Sequence, residues 1–167
     1  IVAQVIGDIR SPKGRIEILK SYAISDCGTE QMAQAIRADF PHRPLYAIMD
    51  RSGSQLNRDT TSQFGITDQT TLEKYGFRIH NTAKSNPLIA DSDNSSNAFI
   101  NQNRLIVPHT ETLLLDALET YHYEDGSRKQ LVKYKEAKYM HIDGLGDCLR
   151  YGIHHLFPLT HEQPVLP

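Results

Sequence analysis

Leu45-Tyr46-Ala47-Ile48-Met49-Asp50 is a short continuous apolar run that stops at a carboxylate. A run of this length without polar alternation is the pattern of a strand covered on both faces. Asp50 then falls at the carboxyl end of that strand, where open α/β sheets build their sites. The other reading of Asp50 is a turn residue that ends the strand through a local hydrogen bond. Upstream, Pro41 and Pro44 isolate the run; downstream, Arg51 to Thr71 is polar, with no period covering the whole stretch. That composition predicts a functional loop, with a short helix near Thr70 to Tyr75.

Working outward, Ile1 to Ile9 is rich in β-branched residues, Ser11-Pro12-Lys13-Gly14 supplies turn chemistry, and Arg15 to Ile24 alternates apolar with polar residues. The three segments predict a β-hairpin. Met32, Ala35, Ile36 and Phe40 then recur at helical spacing, with Thr29 or Asp26 available as a cap. Beyond the loop, Phe77 to His80 predicts a strand. Pro87 to Ile100 predicts a helix with Leu88, Ile89 and Ala98-Phe99 on its buried side, and Arg104 to Val107 a further strand. Thr110 to Tyr121 carries Leu113, Leu114 and Leu118, and a last helix is expected from about Ile142 to Leu156. Strands alternating with helices after an initial hairpin predict an α/β sandwich whose sheet mixes antiparallel and parallel pairs.

A chain of 167 residues, 39% of them hydrophobic, can bury one sizeable core, so a single domain over 1–167 is expected. It begins with Ile1, inside an apolar run, which suggests a fragment of a longer protein. The formal net charge of −2 neither requires nor excludes a local basic groove. Cys27 and Cys148 lack the close spacing of a zinc site or a disulfide framework, which favours a reducing cytoplasm. No apolar stretch approaches the roughly 20 residues that span a bilayer, so no membrane association is expected.

The second chemical constellation is Tyr139-Met140-His141-Ile142-Asp143-Gly144-Leu145-Gly146-Asp147-Cys148-Leu149-Arg150-Tyr151. Asp143 and Asp147 share one helical face, where like charges repel by a few tenths of a kcal/mol (~0.3) unless a cation neutralises them. Asp143 is also explained as an N-terminal helix charge; Asp147, deeper in the helix, is not. His141 is a candidate ligand or proton donor, or a capping residue. His154 and His155 fit the end of a helix and are left out of the site. Leu145, Leu149 and Ile153 would pack the helix on the sheet. Oxygen-only ligands select Mg²⁺ or Mn²⁺ over zinc. Two such ions can activate water against a phosphodiester without a protein nucleophile. No G-x-S-x-G elbow and no G-x-x-x-x-G-K-[ST] phosphate loop occurs. Arg128, Lys129, Lys133 and Lys135, interleaved with Tyr134 and Tyr139, suit phosphate neutralisation or, equally, a lysine-protected edge strand.

Asp50 after its apolar strand, the segment Asn86-Pro87-Leu88-Ile89-Ala90-Asp91-Ser92-Asp93-Asn94-Ser95-Ser96-Asn97-Ala98-Phe99-Ile100, the strand Arg104-Leu105-Ile106-Val107 and the ending Asp147-Cys148-Leu149-Arg150-Tyr151 occur in an order that resembles the nuclease domain of the tailed-bacteriophage terminase large subunit. The ending is similar to the family's Asp-Ala-Leu-Arg-Tyr signature. The resemblance covers most of the chain. It implies a ribonuclease H-like mixed β-sheet with helices on both faces. It also implies an endonuclease that cuts concatemeric viral DNA during genome packaging in the cytoplasm of the infected bacterial host. Asp50 would be the second catalytic aspartate and Asp147 the third, with Asp143 and His141 as auxiliaries and Mg²⁺ or Mn²⁺, as two ions, as the cofactor. Implied partners are double-stranded DNA, a terminase small subunit, a portal protein and an ATPase motor domain absent from this sequence.

The family's first aspartate would fall before residue 1, and Asp8 is the only acidic residue on the first predicted strand. Ser92 stands where the family has arginine. Two other readings are a different ribonuclease H-like nuclease, such as a resolvase or transposase core, and a catalytically inactive DNA-binding or assembly module.

Overall fold

In the computed structural model the described residues are 1–8, 11–24, 26–49, 67–80, 87–120 and 140–158, with backbone alone for Met140 and His141. They form five strands and five helices of the α/β class, and the chain divides into two compact units. Among them no helix is long and apolar enough to cross a membrane.

The first unit comprises Ile1–Ala23 and Pro87–Pro167. The predicted hairpin is present: β1 (Val2–Ile6) pairs antiparallel with β2 (Arg15–Lys20), with Val2 opposite Lys20 and Ile6 opposite Arg15. The other edge of β2 takes β5 (Leu105–Ile106) in parallel, Ile16 opposite Leu105, so the three-stranded sheet is mixed as expected. Alternation along β2 turns Ile16 and Ile18 into the core. They meet Phe99 of α3 (Ile89–Asn101), Leu114 and Ala117 of α4 (Thr112–Thr120), and Ile142, Leu145, Leu149 and Ile153 of α5 (Met140–Leu156). The predicted apolar stripe of the last helix is therefore the buried one. Each large side chain in this cluster contributes about 2 kcal/mol through removal of apolar surface from water.

Arg104 sits beside that core at 2% exposure. Its guanidinium carbon lies 4.5 Å from the ring centres of both Phe99 and Phe157. Nε donates to the Gly14 carbonyl at 2.7 Å and Nη2 to the Ser11 carbonyl at 2.9 Å, so one side chain ties the hairpin turn to the helical layer. Burial pushes this guanidinium below its ordinary range.

The sequence pattern misplaces two features of this unit. Leu88, expected on the buried side of α3, is its N-cap residue and is 73% exposed. Phe99 is buried as expected, and Ser92 and Ser95, which the pattern does not place there, are buried with it. Serine tolerates this because each hydroxyl bonds back onto its own helix: Ser92 to the Leu88 and Ile89 carbonyls, Ser95 to Asp91, Ser96 to Ser92. Small side chains with internally satisfied polar atoms let α3 pack against α5.

The second unit is Ile24–Asn86. It holds α1 (Thr29–Asp39), β3 (Leu45–Ala47), α2 (Asp68–Lys74) and β4 (Phe77–Ile79). The decisive apolar run does form a strand, shorter than its apolar length and not covered on both faces, since Tyr46 is 58% exposed; it pairs in parallel with β4, Leu45 opposite Phe77. Ala33, Leu45 and Phe77 form the buried cluster of this unit. The cap of α1 is Gly28, without a side-chain cap bond, rather than Thr29 or Asp26. Thr29 is the first helical residue, and its hydroxyl is drawn to Asp68 at 2.6 Å. The predicted short helix α2 opens on a capping box between Thr67 and Thr70. On the surface, hydrogen bonds from Tyr75 and Lys74 hold the Glu30 carboxyl below its usual range, and Glu30 raises Lys74 in turn.

Arg37 closes this unit by donating to the Tyr75, Gly76 and Arg43 carbonyls at 3.1, 3.0 and 3.0 Å. Gly76 needs its φ of +77°, and a Cβ there would stand 3.3 Å from Arg37 Nη2. We expect Gly76→Ala to cost about 1–2 kcal/mol, the penalty of the left-handed conformation for an L side chain. Thermal denaturation followed by circular dichroism should show a midpoint lowered by about 3–6 °C. An unchanged midpoint would mean that this turn relaxes without cost.

Candidate functional site

Asp50, the stretch Arg51 to Gly65, and the basic residues Arg128, Lys129, Lys133 and Lys135 lie outside the described residues, as does the His141 side chain. Asp8 is exposed at the hairpin turn, where its carbonyl accepts from Ser11 N–H at 3.0 Å. Asp143 and Asp147 are both on α5, one turn apart. Asp143 occupies the first turn, where the helix dipole favours negative charge, and its Oδ1 is shielded from solvent.

Asp147 is held by a network that the acidic spacing does not reveal. Arg150, one turn further along α5, is only 4% exposed, whereas the Asp147 side chain is 31% exposed. Arg150 Nη2 donates to Asp147 Oδ1 at 2.7 Å, Nη1 donates to Ser92 Oγ at 2.8 Å, and Nε lies 3.6 Å from Asp93 Oδ1. The carboxylate is thus backed by a buried cation on the protein side while reaching solvent on the other.

Ser92 makes this possible by its size. It is fully buried against Arg150. An arginine here, as the terminase pattern would have, would bring a second long cation into the space that Arg150 fills. Sequence reasoning noted Arg150 and Ser92 only as members of motifs; the i,i+3 spacing of Asp147 and Arg150 was the available signal for the ion pair. The Ser92 contact, across 58 positions, had none.

A second polar link joins the same helices. Ser95 Oγ donates to the Asp91 carbonyl at 3.0 Å and lies within hydrogen-bond distance of His154 Nδ1, at 2.9 Å. His154 accordingly serves the α3–α5 contact.

Among the described residues no group of three or more His, Cys, Asp or Glu side chains comes together to hold a metal ion. Asp143 and Asp147 offer carboxylate oxygens, the chemistry that Mg²⁺ and Mn²⁺ take, and Asp147 reaches solvent on one side. No family profile, curated protein or solved structure matches the chain.

Proposed function

We propose that this chain is a Mg²⁺- or Mn²⁺-dependent DNA endonuclease with a ribonuclease H-like fold, and that it serves as the nuclease domain of a phage terminase large subunit. The observation that carries the proposal is Asp147: a carboxylate at the protein surface, backed by a buried guanidinium, within the ordered set of motifs that resembles the terminase nucleases. Asp147 and Asp143 would hold the metal, with Asp50 as the further carboxylate that the resemblance assigns. Bound there, two ions supply an activated water and stabilise the leaving oxygen of a phosphodiester. The protein's own part is to hold Asp147 in place through Arg150, and to neutralise phosphates through Arg128, Lys129, Lys133 and Lys135. Binding through phosphates carries little base preference. The setting we propose is the cytoplasm of an infected bacterium, with the terminase small subunit, the portal and the ATPase motor as partners on concatemeric DNA.

Supercoiled plasmid incubated with the purified chain and Mn²⁺, Mg²⁺ or EDTA tests this reading. We expect nicked and linear products with either metal and none with EDTA. Cleavage that persists in EDTA, or its absence with both metals together with no Mn²⁺ uptake by calorimetry, would overturn the reading. Cleavage confined to branched DNA would point instead to a resolvase-type enzyme.

A further inference from the structure

We infer that Arg150 is the positioning residue for Asp147, an inference that rests on the metal-dependent nuclease reading. Arg150 presents three nitrogens to three different residues: Nη2 to Asp147, Nη1 to Ser92 and Nε toward Asp93. A planar guanidinium hydrogen-bonded at both Nη atoms, with Nε at ion-pair distance from Asp93, cannot rotate to follow Asp147 without leaving Ser92. Ser92 is itself fixed by the Leu88 and Ile89 carbonyls, so a continuous chain of bonds runs from the backbone of α3 through Ser92 and Arg150 to the Asp147 carboxylate.

The network separates into two parts with different purposes. The contacts to Ser92 and Asp93 cross from α5 to α3 and staple the helices. The contact to Asp147 lies within α5. What it does is hold a half-exposed carboxylate from behind with a nearly buried donor. Residues that back metal ligands do the same, and their loss weakens metal binding about 10–100-fold.

Two variants test the inference. Arg150→Lys keeps the charge but cannot reach Ser92 and Asp147 together. Ser92→Ala removes the hydroxyl that accepts from Arg150 Nη1 and leaves both Arg150 and Asp147 themselves unaltered. We expect the Mn²⁺ dissociation constant, measured by calorimetry, to rise about tenfold or more in Arg150→Lys and by a smaller factor in Ser92→Ala. Plasmid cleavage should be regained at raised Mn²⁺, with the maximal rate nearly kept. Thermal midpoints in EDTA report stapling separately.

If both variants melt earlier but bind Mn²⁺ as the unaltered chain does, Arg150 is a helix staple and the inference fails while the nuclease reading stands. Tighter Mn²⁺ binding by Arg150→Lys would also overturn it, by showing that the guanidinium competes with the ion. Should Arg150→Lys not fold, Ser92→Ala decides: unchanged affinity there overturns the inference. No Mn²⁺ binding by the unaltered chain would remove the nuclease reading and this inference with it.

Discussion

Asp147→Asn should reduce metal-dependent plasmid cleavage by more than about 100-fold, the upper range for loss of a residue that merely supports a ligand. The amide is the informative substitution because Asp147 has two jobs. It would ligate the cation, and it accepts from Arg150 at 2.7 Å. Asparagine keeps an oxygen for Arg150 but removes the charge that a hard divalent cation requires. Alanine would remove both, leaving a nearly buried guanidinium short of one acceptor. Breaking a fully buried ion pair costs about 3–5 kcal/mol. Here Asp147 is half-open to solvent and Ser92 and Asp93 remain, so about 1–2 kcal/mol is the appropriate scale for Asp147→Ala. Cleavage assays on both variants, with thermal midpoints measured in parallel, separate chemistry from stability. Asp147→Asn that folds normally and still cuts at the unaltered rate would remove Asp147 from the mechanism.

The largest stability effect is expected at Arg104. Arg104→Ala should destabilise the protein by about 3–5 kcal/mol, because it combines two losses. The Gly14 and Ser11 carbonyls lose the hydrogen bonds from Arg104, the Ser11 carbonyl keeping the Gly14 N–H, and the space beside the Phe99 and Phe157 rings is left unfilled. Arg104→Met refills much of that space without restoring the hydrogen bonds, so it should recover roughly half of the loss. Urea denaturation of the three proteins measures both terms. A loss below about 1 kcal/mol for alanine would mean that water replaces the guanidinium at the turn carbonyls.

Periodicity made much of the secondary structure legible. The hairpin of β1 and β2 followed from β-branched residues flanking a Pro-Gly turn, and the buried line Leu145, Leu149, Ile153 followed from its repeat along α5. Both signals are local, since an element's period is written in its own residues. Leu88 shows where that logic stops. It is apolar at helical spacing, yet its place at the N-cap of α3 turns it to solvent, while Ser92 and Ser95 are buried. Hydropathy ranks a side chain by composition, but burial depends on which surface another element brings to it.

Asp143 and Asp147 stood out by sequence because two carboxylates four apart on a helix repel and therefore ask for an explanation. Their surroundings could not be read the same way. Arg150 meets Ser92 across 58 positions, and Arg104 meets Gly14 and Ser11 across 90 and 93. No local pattern encodes such pairs. The amino-acid sequence by itself determined the α/β class, most elements and the placing of two carboxylates one turn apart on α5. Only the tertiary structure decided which polar groups are buried and what fixes Asp147, because a buried charge is tolerated only where the fold delivers its partners from distant parts of the chain.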